Sequence, residues 1–91
     1  MKVRIRAFAS FRHILGKEIP IELPEKATVK ELLDALCSRH SPLRSLLYDS
    51  GVLREDVNIL INGKNITSLK GESSELAEGD ELAIFPAAIG G

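Results

Sequence analysis

The stretch TVKELLDALCSRH, residues 28–40, restricts the choice of fold more than any other part of this chain. Val29, Leu32, Leu33 and Leu36 recur at the spacing of one helical face. Thr28 and Glu31 stand three apart, the spacing of a capping box in which each side chain bonds the other residue's backbone amide. The segment is therefore the main helix, with a start encoded on the spot. Runs of period-two alternation lie on both sides of it. One helix cannot close a core alone, so its leucine stripe must lie across a face of the sheet those runs form, any parallel crossover being right-handed. An α+β roll is the expected class.

The flanking segments fill in the sheet. From Lys2 to Phe8, Val3, Ile5 and Ala7 alternate with Lys2, Arg4 and Arg6, the pattern of a half-buried strand. ASFRHILG predicts a short helical turn with Gly16 in a left-handed cap, and EIPIEL resumes alternation through Ile19, Ile21 and Leu23. Pro20 cannot donate to a ladder, which assigns that strand to an edge. SPLRSLLYDSG predicts a second, shorter helix with Ser41 as cap, Pro42 at its first position and Gly51 beyond its end. VNILINGKNI reads as strand, Asn62-Gly63 turn and strand, with Val57, Ile59 and Ile61 inward and Leu60 outward. LKGESSELAEGD is a polar connection with Leu76 turned inward, and ELAIFP is a last strand closed by Pro86.

Ninety-one residues make one domain. Twelve Lys and Arg against thirteen Asp and Glu leave a net charge of −1, which lacks the basic footprint of a nucleic-acid binder. The alternating start MKVRIRAF is no secretory signal and no run reaches the length of a membrane span, so the expected location is the cytoplasm, away from any membrane. The lone Cys37, in LLDALC, reads as a small core residue, and Cys37 with His40 falls short of the four ligands of a zinc site. His13 reads as a helix-surface residue. Phosphate-loop, nucleophile-elbow and His-Glu-x-x-His patterns are all missing, and Glu18, Glu22, Glu25 and Glu31 fall on solvated positions. No catalytic residue is assigned, and the chain reads as the substrate or partner of enzymes.

The end of the sequence, FPAAIGG, supplies the functional candidate. Pro86 is expected to release the chain from the sheet after Phe85, which divides it into a folded domain of residues 1–86 and a flexible tail of residues 87–91. An ionised α-carboxylate is a poor electrophile until activated, and glycines without side chains let a partner close around the backbone.

INGKNI, LAEGDELAIFP and the terminal Gly90-Gly91, together with AFASFRHILG and ATVKELLDAL, resemble the MoaD and ThiS sulfur carriers and the archaeal small modifier proteins of the ubiquitin-like β-grasp group. The length of SPLRSLLYDSG favours MoaD or the archaeal modifiers over ThiS. The resemblance implies a mixed five-stranded sheet with the first and last strands side by side at its centre, packed on one main helix plus short helices. It also implies that a ubiquitin-activating-type enzyme, using ATP and magnesium at its own site, joins the Gly91 carboxylate to AMP. A sulfur donor would then leave a thiocarboxylate for the large subunit of a molybdopterin synthase, this chain being the small subunit. Alternatively, a lysine of a target protein would take the acyl group as an isopeptide, or the chain would be a non-covalent interaction module with incidental glycines. No cofactor is expected on the chain itself. Gly90, Pro86, Phe85 and Leu60 are the expected partner contacts, the last two as an apolar patch beside the tail. The family often carries two prolines before its tail, whereas here Pro86 is followed by Ala87, with Ile89 before Gly90, an arrangement expected to be less stiff.

Overall fold

The inward set Val3, Ile5 and Ala7 is fully buried and Lys2, Arg4 and Arg6 are exposed, so the first strand, β1 (Lys2–Ala7), follows its alternation at every position. The computed structural model describes residues 1–87. Among these residues six further strands and three α-helices follow: α1 (Ser10–Leu15), β2 (Glu18–Glu22), α2 (Val29–Arg39), α3 (Leu43–Leu47), β3 (Tyr48–Asp49), β4 (Val52–Leu53), β5 (Val57–Ile61), β6 (Lys64–Asn65) and β7 (Glu81–Pro86). The main sheet has the order β2-β1-β7-β5-β6. Only β1 and β7 run parallel, so the sheet is mixed and the first and last long strands lie together at its centre. Pro20 sits in the edge strand β2, opposite Arg4.

The capping box of α2 is formed in both directions, with Thr28 accepting from the Glu31 amide and Glu31 accepting from the Thr28 amide. Val29, Leu32, Leu33 and Leu36 are fully buried in one core with Ile5, Ile59, Leu82 and Ile84 of the sheet. Fully burying one such side chain contributes about 1.5–3 kcal/mol, so this stripe anchors the helix to the sheet face. The connection before β7 is stitched to the start of α2: the Val29 amide donates to the Ser74 carbonyl at 3.0 Å and the Leu76 amide to the Ala27 carbonyl at 2.8 Å. Leu76 is buried, as its sequence context predicts.

Several local expectations are corrected. Ser41 does not cap α3; the Leu43 amide bonds back to the His40 carbonyl, so the helix starts one residue later and Pro42 takes the cap position. Gly51 does not follow a helix end either. Tyr48 is already extended, and Ser50 and Gly51, at φ 52° and 80°, form the tight turn of a β3–β4 hairpin, which requires positive φ at both central residues. Gly16 has φ 90° but ψ 174°, an extended conformation open to glycine that leads straight into β2, not the left-handed helical cap.

The release after Phe85 does not occur at that point. Pro86 lies within β7 opposite Val57, and the Ala87 amide donates to the Asp56 carbonyl at 2.7 Å. Odd-numbered residues at this end of the strand turn their amides toward β5, so the donor missing from Pro86 would have faced β1, which has ended at Ala7. The proline therefore costs the β5 ladder nothing.

Candidate functional site

The face of the sheet opposite α2 carries the alternate set of side chains. On β1 these are Lys2, Arg4 and Arg6, and the period continues to Phe8. On β7 they are Glu81, Ala83 and Phe85, and on β5 Asn58 and Leu60. Register sets the rows: Arg6 stands beside Ala83, and Ala83 beside Leu60; Phe85 stands beside Asn58. Leu60 is thus a diagonal neighbour of Phe85 on one face.

At the end of this surface from which β7 runs out lies an aromatic pair. The Phe8 and Phe85 rings meet edge to face, with centroids 6.0 Å apart and planes at 88°, and a shallow apolar hollow opens between them. The guanidinium of Arg12 lies 5.3 Å from the Phe8 centroid and that of Arg6 5.7 Å away, both in cation–π range. The Arg12 Nε also donates to the Ala7 carbonyl at 3.0 Å, which holds its stem beside the ring. Glu81 pairs with Arg4 at 3.2 Å and with Arg6 at 3.6 Å, and Arg4 reaches Glu18 at 3.3 Å. These exposed pairs add little stability and form a charged stretch farther along the same face.

Leu60 points to this open face, but it is half-buried between Asn65 and Ala83 instead of standing free among polar groups. Phe85 and Pro86 are half-buried as well. Among the described residues the most exposed large apolar side chains are Val52 and Leu69, on the β4 hairpin and the later connection, and sequence reasoning selected neither. It also missed Phe8, although the continued alternation of β1 was the signal that could have found it. Gly90 and Gly91 lie outside the described residues.

The last described residue leaves the sheet beside a short turn. Arg54 Nε and Nη2 donate to the two carboxylate oxygens of Asp56 at 2.9 and 3.0 Å, a bidentate pair that holds the Asp56 carboxyl below its ordinary pKa and raises that of the guanidinium. Ser10, Phe11, Leu46, Val57 and Pro86 complete a small crevice here with Arg54 and Asp56. Away from this region, Cys37 is buried in α2, and burial pushes its thiol above the ordinary value, which disfavours the reactive thiolate. Among the described residues no helix is long and apolar enough to cross a membrane.

Comparison with known proteins places this geometry. The ThiS family profile matches residues 5–91. Small archaeal modifier protein 3 of Haloferax volcanii is 34% identical over 92 residues, covering 100% of each chain. A candidate sulfur carrier protein of Archaeoglobus fulgidus is 36% identical over 69 residues, 74% of this chain and 77% of its own. The crystal structure of SAMP1 from Haloferax volcanii matches the fold with a TM-score of 0.86 at 31% identity, covering 100% of both chains.

Proposed function

The chain belongs to the ThiS family, and from that premise we propose that Gly91 carries a reactive carboxylate which partner enzymes activate and load with sulfur. At the coarser level the chain is a ubiquitin-like sulfur carrier or modifier, not itself an enzyme. The observation that carries the finer reading is the family match itself, which runs through the diglycine to residue 91.

In this reading a ubiquitin-activating-type enzyme supplies ATP, magnesium and the catalytic groups. The Gly91 carboxylate attacks the α-phosphorus, pyrophosphate leaves, and the resulting acyl adenylate has AMP as its leaving group. A sulfide-level donor then displaces AMP and leaves a thiocarboxylate. The consumer is the large subunit of a molybdopterin synthase, in the cytoplasm. The body of the domain contributes recognition: Phe8, Phe85 and Leu60 dock the partner, with Pro86 and Gly90 leading Gly91 into its active site. A grip on the body raises the local concentration of the tail and offsets its ordering cost.

A second reading shares the adenylate and changes the acceptor. A lysine amine displaces AMP instead and an isopeptide results. Support for it comes from the full-length similarity to a protein named a small archaeal modifier.

The test compares the full chain with one lacking Gly91, each incubated with the activating enzyme, ATP and magnesium. Adenylate should form only on the full chain; equal adenylation of both overturns the assignment of Gly91. Intact-mass measurement of the protein from its native host then separates the acceptors. Exchange of one oxygen for sulfur supports the carrier, conjugates support the modifier, and an end that is unmodified under all conditions supports a non-covalent module.

A further inference from the structure

The segment LREDV, residues 53–57, sits where the last strand gives way to the tail, and its hydrogen bonds form a relay. The Arg54 amide donates to the carbonyl of Leu47, the final residue of α3, at 2.8 Å, which fixes Arg54 to the helical layer. The Val57 amide closes the turn on the Arg54 carbonyl at 3.3 Å. Arg54 then grips the Asp56 carboxylate with two N–H donors, and the backbone carbonyl of the same Asp56 accepts the Ala87 amide at 2.7 Å. A single exposed ion pair stabilises a fold little, but a bidentate guanidinium–carboxylate fork restricts geometry, and the residue so held also carries the carbonyl that accepts from Ala87. A proline at position 87 could not make this bond.

We propose that Arg54 is a positioning residue for the C-terminal tail: it sets Asp56, whose carbonyl sets Ala87, and so fixes the direction in which the chain leaves the body before a partner engages it. This rests on the reading of Gly91 as the reactive end. Pre-orienting the root reduces what the partner must order, so the effect belongs on turnover rather than on docking, which the Phe8 face provides.

The experiment has two independent readouts. Amide hydrogen exchange is followed by NMR at neutral pH in the wild type, Arg54→Ala, Arg54→Lys and Asp56→Asn, and adenylation kinetics are measured with the activating enzyme, ATP and magnesium. In Arg54→Ala and Asp56→Asn the Ala87 amide should exchange at least about tenfold faster while those of Ile59 and Ile84 keep their rates, and Arg54→Lys should fall nearer the wild type. Adenylation kcat should drop at least about threefold in Arg54→Ala with KM held within about twofold. Unchanged Ala87 exchange in both Arg54→Ala and Asp56→Asn overturns the relay, and faster exchange with unchanged kcat overturns the positioning role. A wild type that is never adenylated instead overturns the reading of Gly91, and the exchange rates still decide the relay.

Discussion

Tyr48 illustrates how much one buried hydroxyl can tie together. Its Oη donates to Glu72 Oε2 at 2.6 Å, joining the β3–β4 hairpin to the connection before β7, while Lys30 and Arg44 lie 5.6 and 5.8 Å from its ring centroid. Burial first, then the hydrogen bond and charge of Glu72, pushes the phenol well above its ordinary value. With the folded pKa raised above the unfolded one of about 10, the contribution is complete below about pH 10 and is lost as pH rises toward the folded value. Tyr48→Phe should therefore cost about 1–3 kcal/mol at pH 7, by denaturant unfolding, and lose less further stability than the wild type between about pH 9 and pH 11. Equal losses in both over that range would count against the assignment. Cys37 offers a simpler case, a buried thiol whose burial raises its pKa. Cys37→Ser should cost about 1–3 kcal/mol if the hydroxyl finds no partner, and leave adenylation intact below the melting transition. A folded serine variant that cannot be adenylated would overturn that view.

At the scale of elements, α2 carries stability, and the docking role proposed for the open sheet face makes the two separable by mutation. Thr28→Ala removes one half of the capping box and should cost about 1 kcal/mol. Leu33→Ala, at a position with no exposure, should cost about 2–5 kcal/mol without a direct effect on docking. Leu60→Ala should behave differently because β6 and β7 cover only part of its side chain. Its expected stability loss is about 1 kcal/mol, and affinity for the activating enzyme should fall at least about tenfold. Unfolding curves and titrations on the same variants test the division; a Leu60→Ala variant with full affinity would remove Leu60 from the docking face. Ala87, where the family often has a second proline, donates its amide to the Asp56 carbonyl beside β5, a bond a proline could not make.

For the whole molecule, the parallel pairing of β1 with β7 means that the fold is not complete until its last strand is in place. A chain ending at Ala87 retains every ladder bond of that strand and should melt within about 3 °C of the full chain, while one ending at Glu81 loses Leu82 and Ile84 from the core and should not fold. Thermal unfolding by circular dichroism distinguishes the two, and a cooperative transition in the shorter chain would refute the central role of β7. The features legible in the chain's letters are those governed by neighbours within about four residues: the alternation of β1 and β5, the capping box and leucine stripe of α2, the Asn62-Gly63 hairpin and the edge position of Pro20. The family resemblance carried by its motifs added the five-stranded mixed sheet with the first and last strands side by side. Long-range packing set the rest: Phe8 meets Phe85 from the far end of the chain, Ser50-Gly51 closes a hairpin, and Pro86 stays in the sheet. It also placed Asp56 to hold Ala87. Those outcomes depend on which amides and side chains distant segments present to one another once the sheet has closed, and no short-range periodicity encodes that pairing.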